Sequence, residues 1–190
     1  ANEAPTDISI TASTVAENAA NGATVGTVST TDPDAGETFT YALTDNAGGR
    51  FAIDTNSGVV TVADGSLLDF ETAASHNVTV RVTDSGGNTY DEIMAVSITN
   101  QNEAATDMSI TASTVAENAA NGTVVGTVST TDVDAGDTHT YALLNDQGGR
   151  FAIDTNTGVV TVADGSKLDY ETLAAHDITI RVTDAGGATY

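Results

Sequence analysis

The chain has 190 residues, with 27 acidic and 5 basic side chains and a formal net charge of −22 at pH 7. That balance excludes nucleic acid as a partner, because phosphate neutralisation needs clustered Lys and Arg, and it excludes anionic membrane surfaces for the same reason. Charged residues are only 17% and hydrophobic ones 39%, Val, Ile and Thr are prominent and cysteine is absent, so the chain reads as folded β protein without disulfide or thiolate chemistry.

Self-similarity organises everything else. Residues 1–90 align with 101–190 without a gap, and roughly three quarters of the pairs are identical. Residues 12–20 equal 112–120, and residues 48–56 equal 148–156. A period near 100 residues exceeds the 20–50 of solenoid units and suits a complete small domain. The expected organisation is therefore two tandem domains, 1–100 and 101–190. The second lacks an equivalent of Asp91–Thr99, so it is expected without its last strand.

In chain order, the first repeat alternates apolar and polar residues in seven short runs. They are Asp7–Ser13, Thr24–Thr30, Thr38–Leu43, Arg50–Asp54, Val59–Ala63, Asn77–Thr83 and Glu92–Thr99. Period-two alternation bounded by turn residues (Asn21-Gly22, Asn56-Ser57-Gly58, Asp64-Gly65, Gly86-Gly87-Asn88) predicts strands. Leu67–His76 is the one long non-strand stretch, expected as a turn with one helical turn. Seven antiparallel strands predict an all-β, immunoglobulin-like Greek-key sandwich, repeated in tandem. Without Trp or a Cys pair, its core falls to Val, Ile, Leu, Phe51 and Tyr41.

The acids collect at strand ends. Glu17, Asp69 and Glu71, then Asn100, Asn102 and Glu103, are expected at one end of the first sandwich. Asp132, Asp134 and Asp184 are expected at the near end of the second. Thr99–Asp107 joins the two with little slack, so about eight oxygen-bearing side chains are expected to converge on one linker. Calcium takes 6–8 oxygen ligands in irregular geometry, whereas magnesium demands an octahedron and keeps its waters. No Cys or His cluster favours zinc. In a turning segment, residues two apart point the same way, so Asp132 and Asp134 suit a shared ion. A lone Asp-x-Asp turn is usually just solvated; the joint placement is what argues for metal. Asp32–Leu43 is not an EF-hand loop, because Gly36 and Leu43 stand where ligands belong. Residues 46–54 are not the nonapeptide of calcium β-rolls.

These residues carry a resemblance. Glu17 in "AEN", Asp69 and Glu71 in "LDFE", the linker "NQNEA", Asp132 and Asp134 in "DVDAG", and Asp184 in "TDAGG" together resemble the cadherin repeat. More narrowly, they are similar to cadherin-like domains of bacterial surface and secreted adhesins. The resemblance covers both repeats and implies two to three calcium ions at the junction. It implies that Glu17, Asp69, Glu71 and Glu103 hold the outermost ion. Glu17, Glu71, Asn100, Glu103 and Asp134, with the Gln101 carbonyl, would hold the next. Asn102, Asp132, Asp134 and Asp184, with the carbonyls of Ala104 and Thr138, would hold the third. The sequence departs from the family pattern at Asn100, Ala104 and Ala105, where the family has an acid, Asn and Pro. Half sites are implied at the outer ends: Asn2, Glu3, Asp32, Asp34 and Asp84, and Glu117, Asp169 and Glu171.

Nothing suggests an enzyme. His76 and His176 have no nucleophile beside them, His139 is expected at the surface, and no nucleophile elbow occurs. Asn77–Thr79 is a formal glycosylation sequon in a strand, matched by Asp177 in the second repeat. The expected function is a calcium-rigidified extracellular stalk on a bacterial surface. The alternatives are calcium-dependent binding of like repeats or polysaccharide, or a structural module of a secreted enzyme. No apolar run is long enough to span a bilayer, no signal peptide is evident, and the chain reads as a piece of something longer.

Overall fold

The computed structural model describes residues 2–190. They form two compact units, one ending at Gln101 and the other spanning Asn102–Tyr190.

Unit 1 is a two-sheet sandwich of eight strands. One sheet has the order β1 (Asp7–Ile10), β3 (Thr24–Thr31), β6 (Val59–Val62), β5 (Phe51–Ile53). The other has the order β2 (Thr14–Ala16), β8 (Thr89–Thr99), β7 (Ser75–Thr83), β4 (Thr40–Asp45). The alternating runs bury one face of each strand, as period-two patterning requires. Val78, Val80 and Val82 of β7 are fully buried, and Met94, Val96 and Ile98 of β8 are buried beside them. Phe51, Val60, Val62 and Leu68 complete the core.

The expected first strand, Asp7–Ser13, ends at Ile10, and a further strand that the sequence did not predict follows at Thr14–Ala16. Asp7–Ile10 pairs antiparallel with β3, and the chain then crosses to the other sheet, where Thr14–Ala16 runs parallel to β8. The crossing presses Ala12 against β3: a Cβ on Gly26 would lie 2.0 Å from the Ala12 carbonyl oxygen, so only glycine fits there. The loop before β7 also differs from expectation. Its helical turn is a short 3-10 turn at Gly65–Leu67, capped by Asp64, whose side chain accepts from the Ser66 N–H at 3.1 Å and its hydroxyl at 2.7 Å. Strand β7 begins at Ser75, so His76 lies in the sheet and not in a loop.

Unit 2 repeats the first sheet as β9 (Asp107–Ile110), β10 (Val124–Thr131), β13 (Val159–Val162) and β12 (Phe151–Ile153), in the order β12-β13-β10-β9. Its second sheet keeps only β11 (Thr140–Asn145) and β14 (Thr179–Thr183). The last strand is lacking, as the sequence predicts, and only a bridge between Thr183 and Thr189 marks its start. No helix among the described residues is long and apolar enough to cross a membrane.

Candidate metal centres

In unit 1 three acids meet at the ends of β2 and of the loop before β7. Glu17, Asp69 and Glu71 each offer a carboxylate oxygen, and these oxygens all lie within 4.8 Å of one another. Glu17 is only 3% exposed. One of its oxygens accepts from the Phe70 N–H at 2.8 Å and the other from the Gln101 N–H at 2.7 Å. This buried carboxylate therefore ties the acidic loop to the segment after β8. Asn18 follows it with φ of 53°, a left-handed turn that Asn tolerates. Asp69 accepts from the Thr72 hydroxyl at 2.8 Å and its N–H at 2.9 Å. The hydroxyl first, then the N–H, hold its carboxyl below the usual value. Asn100 and Gln101 follow the end of β8, and the Gln101 amide donates to the Asn100 carbonyl at 2.7 Å.

In unit 2 the other expected residues are knitted together. The Asn102 amide donates to Asp184 at 3.0 Å, the Glu103 N–H to Asp134 at 2.8 Å, and the Asp134 N–H to Asp132 at 3.1 Å. Asp134 and Asp184 are 9% and 7% exposed. Burial works to raise the Asp184 pKa, but the Asn102 side chain and the N–H groups of Ala188, Gly187 and Gly186 outweigh it and hold the acid ionised. A Cβ on Gly186 would come 2.3 Å from the Asn102 side chain, so the turn after β14 must be glycine for Asn102 to sit there. Ala104 is half-buried and Thr138 is exposed.

Two residues near this set carry no expectation from the sequence as ligands. Asp137 and His139 join Asp132 in a group whose ligand atoms lie within 4.8 Å of one another. His139 is not a surface residue: its side chain is 13% exposed and its Nε2 lies 2.9 Å from Asp132 Oδ2. In unit 1 the matching residue is Phe39 and the matching oxygen, Asp32 Oδ2, is buried without a hydrogen-bond partner. An acid at both 37 and 137 was the available signal for Asp137; its position ahead of a strand concealed it.

The outer groups are assembled too. At the front, the Glu3 N–H donates to Asp34 at 2.6 Å, and Asp84 is buried. At the back, Glu117, Asp169 and Glu171 repeat the 4.8 Å grouping, but all three are exposed.

These residues suit a hard cation. Apart from His139, every donor is an oxygen, as calcium prefers and zinc does not. None of the ion pairs among the described residues gives Glu17 or Asp184 a basic partner. Buried carboxylates without a counter-charge are costly, and a divalent ion would offset that cost.

Comparison with known proteins agrees with the fold. Residues 11–99 and 111–190 each match the family described as Cadherin domain. Cadherin-related family member 1 of Gallus gallus is 32% identical over 179 residues, covering 91% of this chain and 20% of that protein. Among solved structures, mouse Cadherin-23 EC22-24 superposes with a TM-score of 0.69 at 30% identity, over 99% of this chain and 62% of that one. Human Protocadherin-24 EC1-2 superposes with a TM-score of 0.76 at 24% identity, over 99% of this chain and 89% of that one. The chain spans about a fifth or less of the length of the curated relatives it matches. It belongs to the cadherin domain family, as two such domains in tandem.

Proposed function

We propose that this pair of cadherin domains binds two to three calcium ions through the segment joining the domains, and that the ions stiffen the chain into an extracellular stalk of an adhesin. Cadherin domains bind calcium, and the observation that best supports this for the present chain is the Glu17, Asp69 and Glu71 group, with its buried Glu17. The proposed ligands are Glu17, Asp69, Glu71, Asn100, Asn102, Glu103, Asp132, Asp134 and Asp184, with the carbonyls of Gln101, Ala104 and Thr138. Bound calcium would supply positive charge among acids that otherwise repel one another. The chain's own residues do the positioning: Phe70 and Gln101 orient Glu17, and Asn102 orients Asp184. Near-duplicate repeats favour an array grown as a spacer. The cysteine-free acidic composition favours a bacterial surface protein, although the relatives named above are animal proteins. The role is binding and structural, not catalytic.

Small-angle scattering with calcium and with chelator tests the stalk. The expected result is a single extended form with calcium and a broader distribution of dimensions without it. The same maximum dimension and the same distribution in both would contradict it.

A further inference from the structure

The loop from β10 to β11, residues 132–139, folds back on itself. Gly136 turns it with φ of 85°, and the Asp137 N–H donates to the Asp134 carbonyl at 3.3 Å. This brings the two arms of the loop together, so that Asp132, just after β10, faces His139, just before β11. Backbone N–H groups take one oxygen of each flanking acid. Asp132 Oδ1 accepts from the Asp134 N–H at 3.1 Å, and Asp137 Oδ1 from the Thr138 N–H at 2.7 Å. Asp132 Oδ2 then lies 2.9 Å from His139 Nε2. One ligand atom each from Asp132, Asp137 and His139 lie within 4.8 Å of one another. The Asp132 and His139 side chains are 5% and 13% exposed, and among the described residues no Lys or Arg forms an ion pair with either acid.

Unit 1 carries the same loop without this arrangement. Phe39 replaces the histidine and packs against the core. Glu37 replaces Asp137, accepts from the Asn2 amide at 2.9 Å and is bonded by the Ser85 hydroxyl. Asp32 Oδ2, the counterpart of the oxygen that meets His139, is buried with no hydrogen-bond partner. Residues 32, 37 and 39 form no three-ligand group among the described residues. The nitrogen donor and the gathered carboxylates are thus particular to unit 2.

We propose that Asp132, Asp137 and His139 form a second kind of metal site, one that takes a transition ion of the zinc type. An imidazole beside two carboxylates suits zinc, copper or nickel, whereas calcium takes oxygen ligands. Zinc bonds to nitrogen and oxygen at about 2.0–2.2 Å, which puts neighbouring tetrahedral ligand atoms about 3.3–3.5 Å apart. The 2.9 Å gap between His139 and Asp132 reaches that spacing with a shift of a few tenths of an ångström. Three protein ligands leave the fourth position to water, and the half-open imidazole gives the ion its way in. The hydrogen bonds from Asp134 and Thr138 orient the two carboxylates, as outer partners do at metal sites. Asp132 is also among the residues proposed for calcium. The zinc set lies within a single loop, however, and does not depend on calcium at the segment joining the domains.

The test is a zinc titration of the full chain, stripped of metal and held at neutral pH, followed by calorimetry and by NMR of the three histidine rings. Zinc is diamagnetic, so each ring can be followed through the titration. One equivalent should move the His139 ring to saturation and leave His76 and His176 in place. His139→Phe, which installs the residue that unit 1 carries, should weaken binding by at least about tenfold. Asp137→Asn should weaken it in the same direction, and Glu17→Ala should leave it unchanged, which separates this site from the calcium ligands. A His139 ring that stays in place at saturating zinc would overturn the proposal. So would a His139→Phe chain that binds zinc as the parent does, which would reduce the His139–Asp132 contact to an ion pair.

Discussion

His76 shows how one side chain couples packing to pH. It lies in β7, packed into unit 1, with its Nε2 buried and without a hydrogen-bond partner. Burial, and then the charge of Arg50, push its pKa below the ordinary 6.5. The unfolded chain retains the ordinary value, so below about pH 6.5 it takes up the proton more readily than the folded chain does. Stability is therefore lost as pH falls from 6.5 through the lower folded value. An NMR titration should place the His76 ring below the ordinary value, and the urea midpoint of unit 1 should fall between pH 7.5 and pH 5.5. A His76 that titrates at or above 6.5 would refute this. The depressed acids work at a different pH. Asp69 and Asp184 have pKa values below 3.8, so the stability they add is present above that value and is lost only in stronger acid.

At the scale of elements, the two repeats form a natural comparison. Residues 12–20 and 112–120 are identical, yet Thr14–Ala16 is a strand and 114–116 is not. No reading of local sequence separates them, because the difference lies in β8, which supplies the parallel partner in unit 1 alone. The other strands were legible because alternation is local, and the terminal acids were legible because turn chemistry is local. The crossing after Ile10 to a second strand at Thr14–Ala16 was not, since it depends on Gly26 admitting the Ala12 carbonyl from elsewhere in the fold. Likewise, the His139–Asp132 contact joins two residues that the sequence places on different elements. A polypeptide that ends at Tyr190 forgoes, in unit 2, the burial that β8 supplies in unit 1. A buried apolar side chain contributes about 1.5–3 kcal/mol, and unit 2 has no counterparts of Met94, Val96 and Ile98. In chelator, unit 2 should melt first, by roughly 10 °C or more given the sensitivity of domains this size. Calorimetry should resolve two transitions; one coincident transition would contradict the prediction.

For the whole molecule, charge dominates. A net charge of −22 on 190 residues opposes compaction, and bound cations relieve it. Extracellular modules bind calcium with dissociation constants of about 10⁻⁴ to 10⁻³ M. At about a hundredfold excess over the constant, one site adds roughly 2.7 kcal/mol, enough to decide whether a short flexible segment is held or free. A calcium titration by calorimetry, on this chain and on Glu17→Ala and Asp134→Ala variants, tests the account most directly. It should give at least two sites in the 10⁻⁴ to 10⁻³ M range, with each variant losing a site or weakening it about tenfold or more. No binding heat, or variants that titrate like the parent chain, would contradict the account.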